Sequence, residues 1–146
     1  MKVGKVTFNE AYKAVNEYRR KYPQKAVTFY AQNYPAMGWA IFMAGGSCPV
    51  IPCTDKVFLK DAAAMEVEET NTDEYRKLVK SDIGSIIYSK SGTDIPIQLS
   101  SGKYALKYIH PATGKIDVIS KSLKINGLYN LKVPDKKEGI YWFHKL

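Results

Sequence analysis

From Ile83 to the C-terminus the sequence is a series of short runs in which apolar and polar residues alternate, each bounded by turn residues. Alternation with a period of two is typical of strands that bury one face. Turn-forming pairs such as Ser101-Gly102 and Asn126-Gly127 separate the runs. The runs are Ile86–Ser89, Ile95–Leu99, Tyr104–Ile109, Lys115–Ile119 and Gly139–His144. This pattern predicts an antiparallel β-sandwich of six or seven strands over residues 83–146.

The stretch YIHPATGKIDV, residues 108–118, predicts a β-hairpin within that domain. Pro111 fixes a backbone angle suited to a type I turn, and Gly114 can adopt the left-handed conformation that closes it. Tyr108 before the turn and Ile116 after it continue the two strands. We therefore expect a positive φ at Gly114.

The N-terminal half of the chain begins with the pattern of a capped amphipathic helix. Thr7 and Glu10 stand three residues apart, as in a capping box, and they predict a helix that starts at residue 8. An apolar stripe at helical spacing follows, and Pro23 marks the end of the helix. The stripe consists of Phe8, Tyr12, Val15 and Tyr18.

Strand-like and helical segments alternate after this helix. The β-branched and aromatic run Val27–Tyr30 predicts a buried strand. The apolar segment Pro35–Ala44 predicts a helix that is buried on nearly every side. A second strand is expected at CPVIP, then a helix capped by Asp55. An acidic linker at EVEET, residues 66–70, and a short surface helix at Asp73–Lys80 follow.

The change from helical to alternating patterns near residue 82 predicts two domains. Residues 1–82 would form a helix-rich α/β unit, and this unit would pack on the sandwich formed by residues 83–146. The predicted fold class is therefore α+β.

Charge and hydropathy favour some partners over others. The net charge is +8, of which residues 83–146 carry +6, but lysines spread singly along strands favour a solvated surface over a nucleic-acid site. No apolar run approaches the roughly 20 residues that a membrane-spanning helix needs, so we expect no membrane partner. The first residues lack a signal-peptide pattern, which predicts a cytoplasmic chain, or a periplasmic or extracellular one if it belongs to a longer exported protein.

The sequence predicts neither a metal nor a cofactor. Cys48 and Cys53 lie far in sequence from His110 and His144, the two residues that could add imidazole ligands. Phosphate-loop and dinucleotide motifs are absent. We expect two reduced, largely buried thiols, although a disulfide across their short loop is geometrically allowed.

Glycoside hydrolysis usually requires two carboxylates that face each other across a cleft. The acidic candidates occupy helices or linkers, and none directly follows a buried strand. They are Glu10, Glu17, Asp55, Asp61, Glu66, Glu68 and Glu69. Gln32 and Asn33 do follow a predicted strand, and their amides could hold sugar hydroxyl groups, although Asn33 could equally cap the next helix. The sequence therefore predicts no complete catalytic site.

Aromatic residues are frequent in the β half of the chain. An aromatic face can stack on the apolar face of a sugar ring. Tyr141 and Trp142 are neighbours in one predicted strand, so we expect one of them to enter the core and the other to face either solvent or the helix-rich unit of residues 1–82. Both are candidate saccharide-binding residues. The alternative is that most of these aromatic residues fill a core that is short of Leu and Phe.

Two longer segments resemble a known family. TFYAQNYPAMGWAIFMAGGSCPVIP, residues 28–52, is similar to the closing βα segment of the barrel in apiosidase-like glycoside hydrolases of gut Bacteroidetes. SGKYALKYIHPATGKIDV, followed later by GIYWFHKL, resembles the small β domain that follows such barrels and is labelled collagen-binding. His110 stands where the turn of that domain usually carries an acidic residue.

The resemblance implies that the chain is the C-terminal portion of a glycoside hydrolase, with the catalytic acid and base on barrel strands outside it. It would then be a structural cap or accessory domain of a carbohydrate-active barrel, not catalytic by itself, with Gln32 and Asn33 at the active-site face. The alternative is a stand-alone β module that binds an oligosaccharide, a polysaccharide or a protein. The apolar surface of an incomplete barrel would also favour a homodimer.

Overall fold

The computed structural model describes residues 6–29, 37–90, 92–133 and 138–146. The chain divides into two compact units, one ending at Ile51 and the other beginning at Pro52. The division predicted near residue 82 instead falls inside the second unit, between two strands that pair with each other.

The first unit contains helix α1, Phe8–Lys21, which packs against helix α2, Gly38–Met43. The capping box predicted at the start of α1 is confirmed. The backbone N–H of Glu10 donates to Thr7 Oγ1 at 3.3 Å, and the backbone N–H of Thr7 donates to Glu10 Oε2 at 2.8 Å. These bonds satisfy amide groups that a helix start would otherwise leave unpaired.

Helix α2 is apolar all round, and each of its residues is buried. The burial predicted for this helix is therefore confirmed for Gly38–Met43. Position 38 requires a glycine, because a Cβ there would lie 1.7 Å from the carbonyl oxygen of Val50. The backbone at residue 50 can approach α2 this closely only where no side chain intervenes.

The two strands predicted in this unit are not formed among the described residues. Residues 26–29 and 48–52 have no regular secondary structure. A pair of parallel strands needs further strands beside it, and the first unit supplies none among its described residues. The two regions are linked through the backbone where Ser47 N–H donates to the carbonyl oxygen of Val27 at 2.7 Å.

The second unit contains one helix and eight strands among its described residues. The helix is α3, Lys56–Ala64. The strands are β1 Glu66–Glu68, β2 Tyr75–Lys80, β3 Gly84–Ser89, β4 Ile95–Gln98, β5 Gly102–Ile109, β6 Ile116–Ile125, β7 Leu128–Leu131 and β8 Gly139–Lys145. The α+β class and the antiparallel pairing predicted for the C-terminal half are confirmed.

The strands form two sheets. Six of them make one antiparallel sheet in the order β1-β2-β3-β8-β5-β6, and β4 pairs with β7 in a separate two-stranded sheet. Apolar residues of both sheets share one core. From the two-stranded sheet this core takes Ile95, Ile97 and Leu131, and from the larger sheet it includes Ile87, Tyr104, Leu106, Tyr141 and Phe143.

The surface helix predicted at residues 73–80 is wrong, because Tyr75–Lys80 is strand β2. This strand pairs along its whole length with β3, from Tyr75 opposite Ser89 to Lys80 opposite Gly84. The segment preceding it, predicted as a linker, contributes β1 at Glu66–Glu68. Ladder hydrogen bonds to β3 and burial of Leu78 decide the conformation where local periodicity is ambiguous.

The hairpin predicted at residues 108–118 is confirmed. Ile109 pairs with Ile116 across β5 and β6, and the N–H of Gly114 donates to the carbonyl oxygen of His110 at 2.8 Å. Gly114 has a φ of 72°, the left-handed conformation expected there. Strand β6 is longer than predicted because it continues past two irregularities in register to Ile125.

The two cysteines differ in burial. Cys53 is buried as expected, but Cys48 is exposed, and neither cysteine forms a disulfide. Cys48 has a φ of 53°, so it occupies a tight backbone turn and does not pack as a small apolar residue.

In the described part of the chain, no helix is both long and apolar enough to span a membrane.

Candidate functional site

The two aromatic residues proposed for binding, Tyr141 and Trp142, lie in β8 at the centre of the large sheet. Their exposed fractions are 2% and 0%, so neither ring faces solvent; of the two predicted alternatives for the outward ring, contact with the helix-rich residues 1–82 is the one observed, because Trp142 meets helix α3. Strand β8 lies between β3 and β5, and both of its faces are covered. Tyr141 enters the core shared by the two sheets, and Trp142 packs against Phe58 of helix α3.

A buried carboxylate joins α3 to the Trp142 side of the sheet. Asp61 is 6% exposed, and its Oδ2 accepts a hydrogen bond from Trp142 Nε1 at 2.9 Å. The same oxygen lies 2.7 Å from Nδ1 of His144. An ionised carboxylate can only accept, so beside such a carboxylate it is an Nδ1–H of His144 that donates in this contact.

Local sequence positions both sides of this contact. Asp55 starts α3, and its Oδ1 accepts from the N–H of Phe58 at 2.8 Å, as a helix cap does. Phe58 and Asp61 are three residues apart, so they share one face of the helix. Trp142 and His144 are two residues apart, so they share one face of the strand. The helix face and the strand face therefore present complementary groups to each other.

Two further contacts surround the Trp142 ring. Phe58 meets it edge-on, with ring centroids 5.3 Å apart and planes at 78°. Lys107, directly opposite Trp142 in the β5–β8 pairing, holds its Nζ 4.3 Å from the ring centroid. A cation over the face of Trp is the most favourable cation–π arrangement. We call Phe58, Asp61, Lys107, Trp142 and His144 the α3 cluster.

A His held by a buried Asp also occurs in hydrolases that use a nucleophile, where the Asp fixes the tautomer of the catalytic His. The other requirement is a nucleophile or a second acid within reach of the His. Among the described residues, the His144 side chain forms a hydrogen bond with Asp61 and with no Ser or Cys. The contacts of the α3 cluster therefore have the geometry of a structural interaction that holds helix α3 against the sheet.

Three other acidic residues considered for catalysis also make structural contacts. Glu10 completes the capping box of α1, and Asp55 caps α3. Glu68 Oε2 lies 2.8 Å from Nζ of Lys77, and the same nitrogen donates to the carbonyl oxygen of Pro96 at 2.8 Å. Lys77 thereby ties β1 and β2 to β4.

The hairpin carries a second His–Asp pair, which is exposed to solvent. His110 Nε2 lies 2.7 Å from Asp117 Oδ2, and the His110 ring meets Tyr108 edge-on at 4.7 Å. The hydrogen bond from His110, together with the nearby Lys115, holds the pKa of Asp117 below its ordinary value. His110 stands at the turn position where the similar β domains usually carry an acidic residue. In this chain the acidic residue is its partner Asp117, on the other side of the hairpin.

Tyrosine hydroxyl groups meet near the start of β8. Tyr88 donates to the carboxylate of Glu138, and Tyr108 donates to the backbone carbonyl oxygen of Glu138 at 3.1 Å. Burial raises the pKa of Tyr88, and the hydrogen bond to Glu138 raises it further. Burial also raises the pKa of Tyr141 to about 12. The raised pKa values keep the hydroxyl groups of Tyr88 and Tyr141 protonated at neutral pH, and those of Tyr88 and Tyr108 act as hydrogen-bond donors.

Gln32 and Asn33 lie outside the described residues, so their proposed sugar contacts stay a prediction. The structure places Tyr141 and Trp142 on opposite faces of β8 and brings Trp142 together with Asp61 and His144, which sequence reasoning did not select as site residues. The spacing in the sequence indicates that Phe58 and Asp61 share one face of a helix. It also indicates that Trp142 and His144 share one face of a strand, but not that these two faces contact each other. Within the described ranges, no group of three or more His, Cys, Asp or Glu could hold a metal ion.

Comparison with known proteins gives a family match and partial structural matches. The family model described as "Domain of unknown function (DUF6298)" matches residues 1–65. No curated protein matches the chain significantly. A solved structure titled "Glycoside hydrolase" matches with 12% identity and a TM-score of 0.42, covering 54% of this chain and 19% of that chain.

The second solved structure is titled "Crystal structure of CapF with inhibitor 3-isopropenyl-tropolone". It matches with 12% identity and a TM-score of 0.18, covering 98% of this chain and 45% of that chain. This chain therefore spans less than half the length of either structure. At these scores neither likeness assigns a fold or an activity to it.

Proposed function

We propose that this chain is a non-catalytic accessory portion of a carbohydrate-active hydrolase, in which the second unit serves as a structural cap. The proposed parent is a barrel of the apiosidase-like kind followed by a small β domain. The resemblance of residues 28–52 and of the hairpin segment to such proteins supports this parentage.

The observation that carries the non-catalytic part of the proposal is the state of Asp61. Its carboxylate is buried and accepts hydrogen bonds from both Trp142 and His144. A catalytic carboxylate must reach the substrate, and glycoside hydrolases place two of them on either side of the scissile bond. Asp61 instead holds α3 on the sheet, and Glu10, Asp55 and Glu68 also serve local structure.

The alternative of a stand-alone sugar-binding β module is less well supported. Stacking on a sugar through Tyr141 or Trp142 would require either ring to leave its buried position in β8. Loss of a buried aromatic residue from a core costs about 3–5 kcal/mol in mutational series, which is a large part of the stability of a small domain. Binding by these two rings would therefore compete directly with folding.

A panel of aryl glycosides and plant oligosaccharides tests the proposal. We expect the purified chain to give no turnover above a buffer blank, because four of its candidate carboxylates, Glu10, Asp55, Asp61 and Glu68, make structural contacts. Reproducible hydrolysis that disappears in Glu66→Gln or Asp55→Asn, with the thermal unfolding curve retained, would contradict it. Lys60→Ala, on the exposed side of α3, is the matched control for nonspecific effects of substitution.

A further inference from the structure

A groove in the first unit has the composition of a ligand site. It has a volume of about 350 Å³ and lies between the C-terminal half of α1 and residues 25–29. From α1 and the residue after it the groove is lined by Val15, Tyr18 and Tyr22, among others. This volume falls within the range of small-molecule sites in proteins.

The walls of the groove are held by backbone hydrogen bonds. Lys25 N–H donates to the carbonyl oxygen of Tyr22 at 3.0 Å, which fixes the turn after α1. On the opposite wall, Val27 accepts from Ser47 N–H at 2.7 Å and donates to Ser47 Oγ at 3.3 Å. These bonds do not involve the tyrosine side chains, so a ligand that contacts the tyrosines need not break them, which favours a low ordering cost of binding.

Tyr18 and Tyr22 are the aromatic residues with large exposed areas among the described residues, at 57% and 38%. Their ring planes differ by 24°, and their centroids are 6.3 Å apart, so the two rings are nearly parallel. Most other aromatic side chains of the described chain are buried or half-buried. Aromatic rings that are exposed beside a groove can stack on the apolar face of a sugar ring, while their hydroxyl groups remain in water.

Positive charge lies at the same edge of the groove. Nζ of Lys25 is 5.2 Å and Nζ of Lys21 is 5.5 Å from the centroid of the Tyr22 ring. Arg19, in the same helical turn, directs its guanidinium to the carbonyl oxygen of Gly45. The two ammonium groups therefore remain to complement an anion, and as point charges they suit a single carboxylate.

We propose that this groove binds one or two residues of an acidic oligosaccharide, with Tyr18 and Tyr22 against the ring faces and Lys25 beside the carboxylate. That the anionic ring is a sugar rests on the proposed function. A single-stranded nucleic acid also combines flat rings with negative charge, but its binding channels follow several nucleotides. A groove bounded by one helix end and five consecutive residues is better matched to a short sugar segment.

Isothermal titration of the intact chain with oligogalacturonate tests the proposal, with a neutral cello-oligosaccharide of equal length as the comparison ligand. We expect oligogalacturonate to bind and the neutral sugar to bind more weakly. Tyr18→Ala should weaken binding roughly three- to tenfold through lost stacking. Lys25→Gln should weaken it about two- to fivefold and reduce its dependence on salt. Lys124→Gln and Leu128→Ala, exposed in the second unit, should leave binding unchanged.

Tyr18 and Lys25 are exposed, so both variants should fold, and far-UV circular dichroism checks this. The proposal is overturned if no sugar binds, if Tyr18→Ala and Lys25→Gln bind as the unsubstituted chain does, or if oligothymidylate binds more tightly with the same residue dependence. The hydrolysis panel reports separately on the proposed function. A chain that binds and hydrolyses would refute the accessory role alone, whereas an inert chain that binds nothing would refute the groove alone.

Discussion

Gly114 is the residue on which the turn between β5 and β6 depends. Its φ of 72° lies in the region that side chains with a Cβ avoid, and a Cβ there would lie 2.5 Å from the carbonyl oxygen of Pro52. Gly114→Val should therefore lower the free energy of unfolding by roughly 1–2 kcal/mol or more, measured by urea denaturation. Gly102→Ala is the control, because its new Cβ would meet the flexible Lys145 side chain. Equal stability of the two variants would contradict the strain argument.

Tyr141 links stability to alkaline pH. Burial raises its pKa to about 12, whereas a tyrosine in an unfolded chain ionises near pH 10. The unfolded state therefore releases the proton first, so the contribution of Tyr141 to stability is present below about pH 10 and is lost as the pH rises toward about 12. In urea denaturation at increasing pH, Tyr141→Phe should flatten this decline. A decline as steep as that of the unsubstituted chain would assign the effect to other groups.

Single residues were predictable where their partners are close in sequence. The capping box of Thr7 and Glu10 and the positive φ of Gly114 depend on neighbours three or four positions away, and both are confirmed. That Tyr141 and Trp142 face opposite ways was predictable from the period of two, but the sequence pattern of β8 does not reveal that α3 covers the face with Trp142. Asp61 was missed as a partner for the same reason, since 81 and 83 residues separate it from Trp142 and His144.

At the scale of elements, α3 owes its start to a single side chain. Asp55 accepts from the N–H of Phe58, one of the amides that the first turn leaves without a partner. Asp55→Ala should lower the free energy of unfolding by about 1 kcal/mol, and Asp55→Ser should restore most of it because serine also caps helices. Urea denaturation of the three proteins compares them directly. If the serine and alanine variants proved equally destabilised, Asp55 would act through something other than the cap.

Elements were predictable where one local signal dominated. Helices α1 and α3 begin with side-chain caps, and most strands of the C-terminal half alternate clearly, so these elements were expected in the right places. Strand β2 was taken for a helix because Tyr75, Leu78 and Val79 also fit a helical spacing. Its pairing with β3 is a tertiary interaction, and this pairing overrides the local preference.

At the scale of the whole molecule, the division between units follows strand pairing. Strands β1 and β2 extend the sheet that includes β3 and β8, and α3 is joined to that sheet through Asp61, so the second unit begins at Pro52. The sequence changes texture near residue 82, but that position lies between two paired strands. The helical and alternating patterns of the sequence predicted the fold class correctly. They could not locate the boundary between the two units, because that boundary depends on contacts between distant segments.

This division predicts how shortened chains behave. A chain of residues 52–146 should unfold cooperatively in urea, because it retains the sheet, α3 and their shared contacts. A chain of residues 83–146 should not, because it lacks β1, β2 and Asp61 and would leave the α3 side of Trp142 open. A cooperative transition of equal midpoint in the shorter chain would place the boundary near residue 82 after all.

The central claim is that the buried carboxylate of Asp61 serves structure and not catalysis, and its effect on the free energy of unfolding tests this most directly. Replacing a structural carboxylate that accepts two hydrogen bonds should destabilise the fold, whereas replacing a catalytic one often leaves stability unchanged or increases it. We predict that Asp61→Asn lowers the free energy of unfolding in urea by roughly 1–3 kcal/mol relative to the unsubstituted chain. An Asp61→Asn protein as stable as the unsubstituted chain, or more stable, would contradict the account.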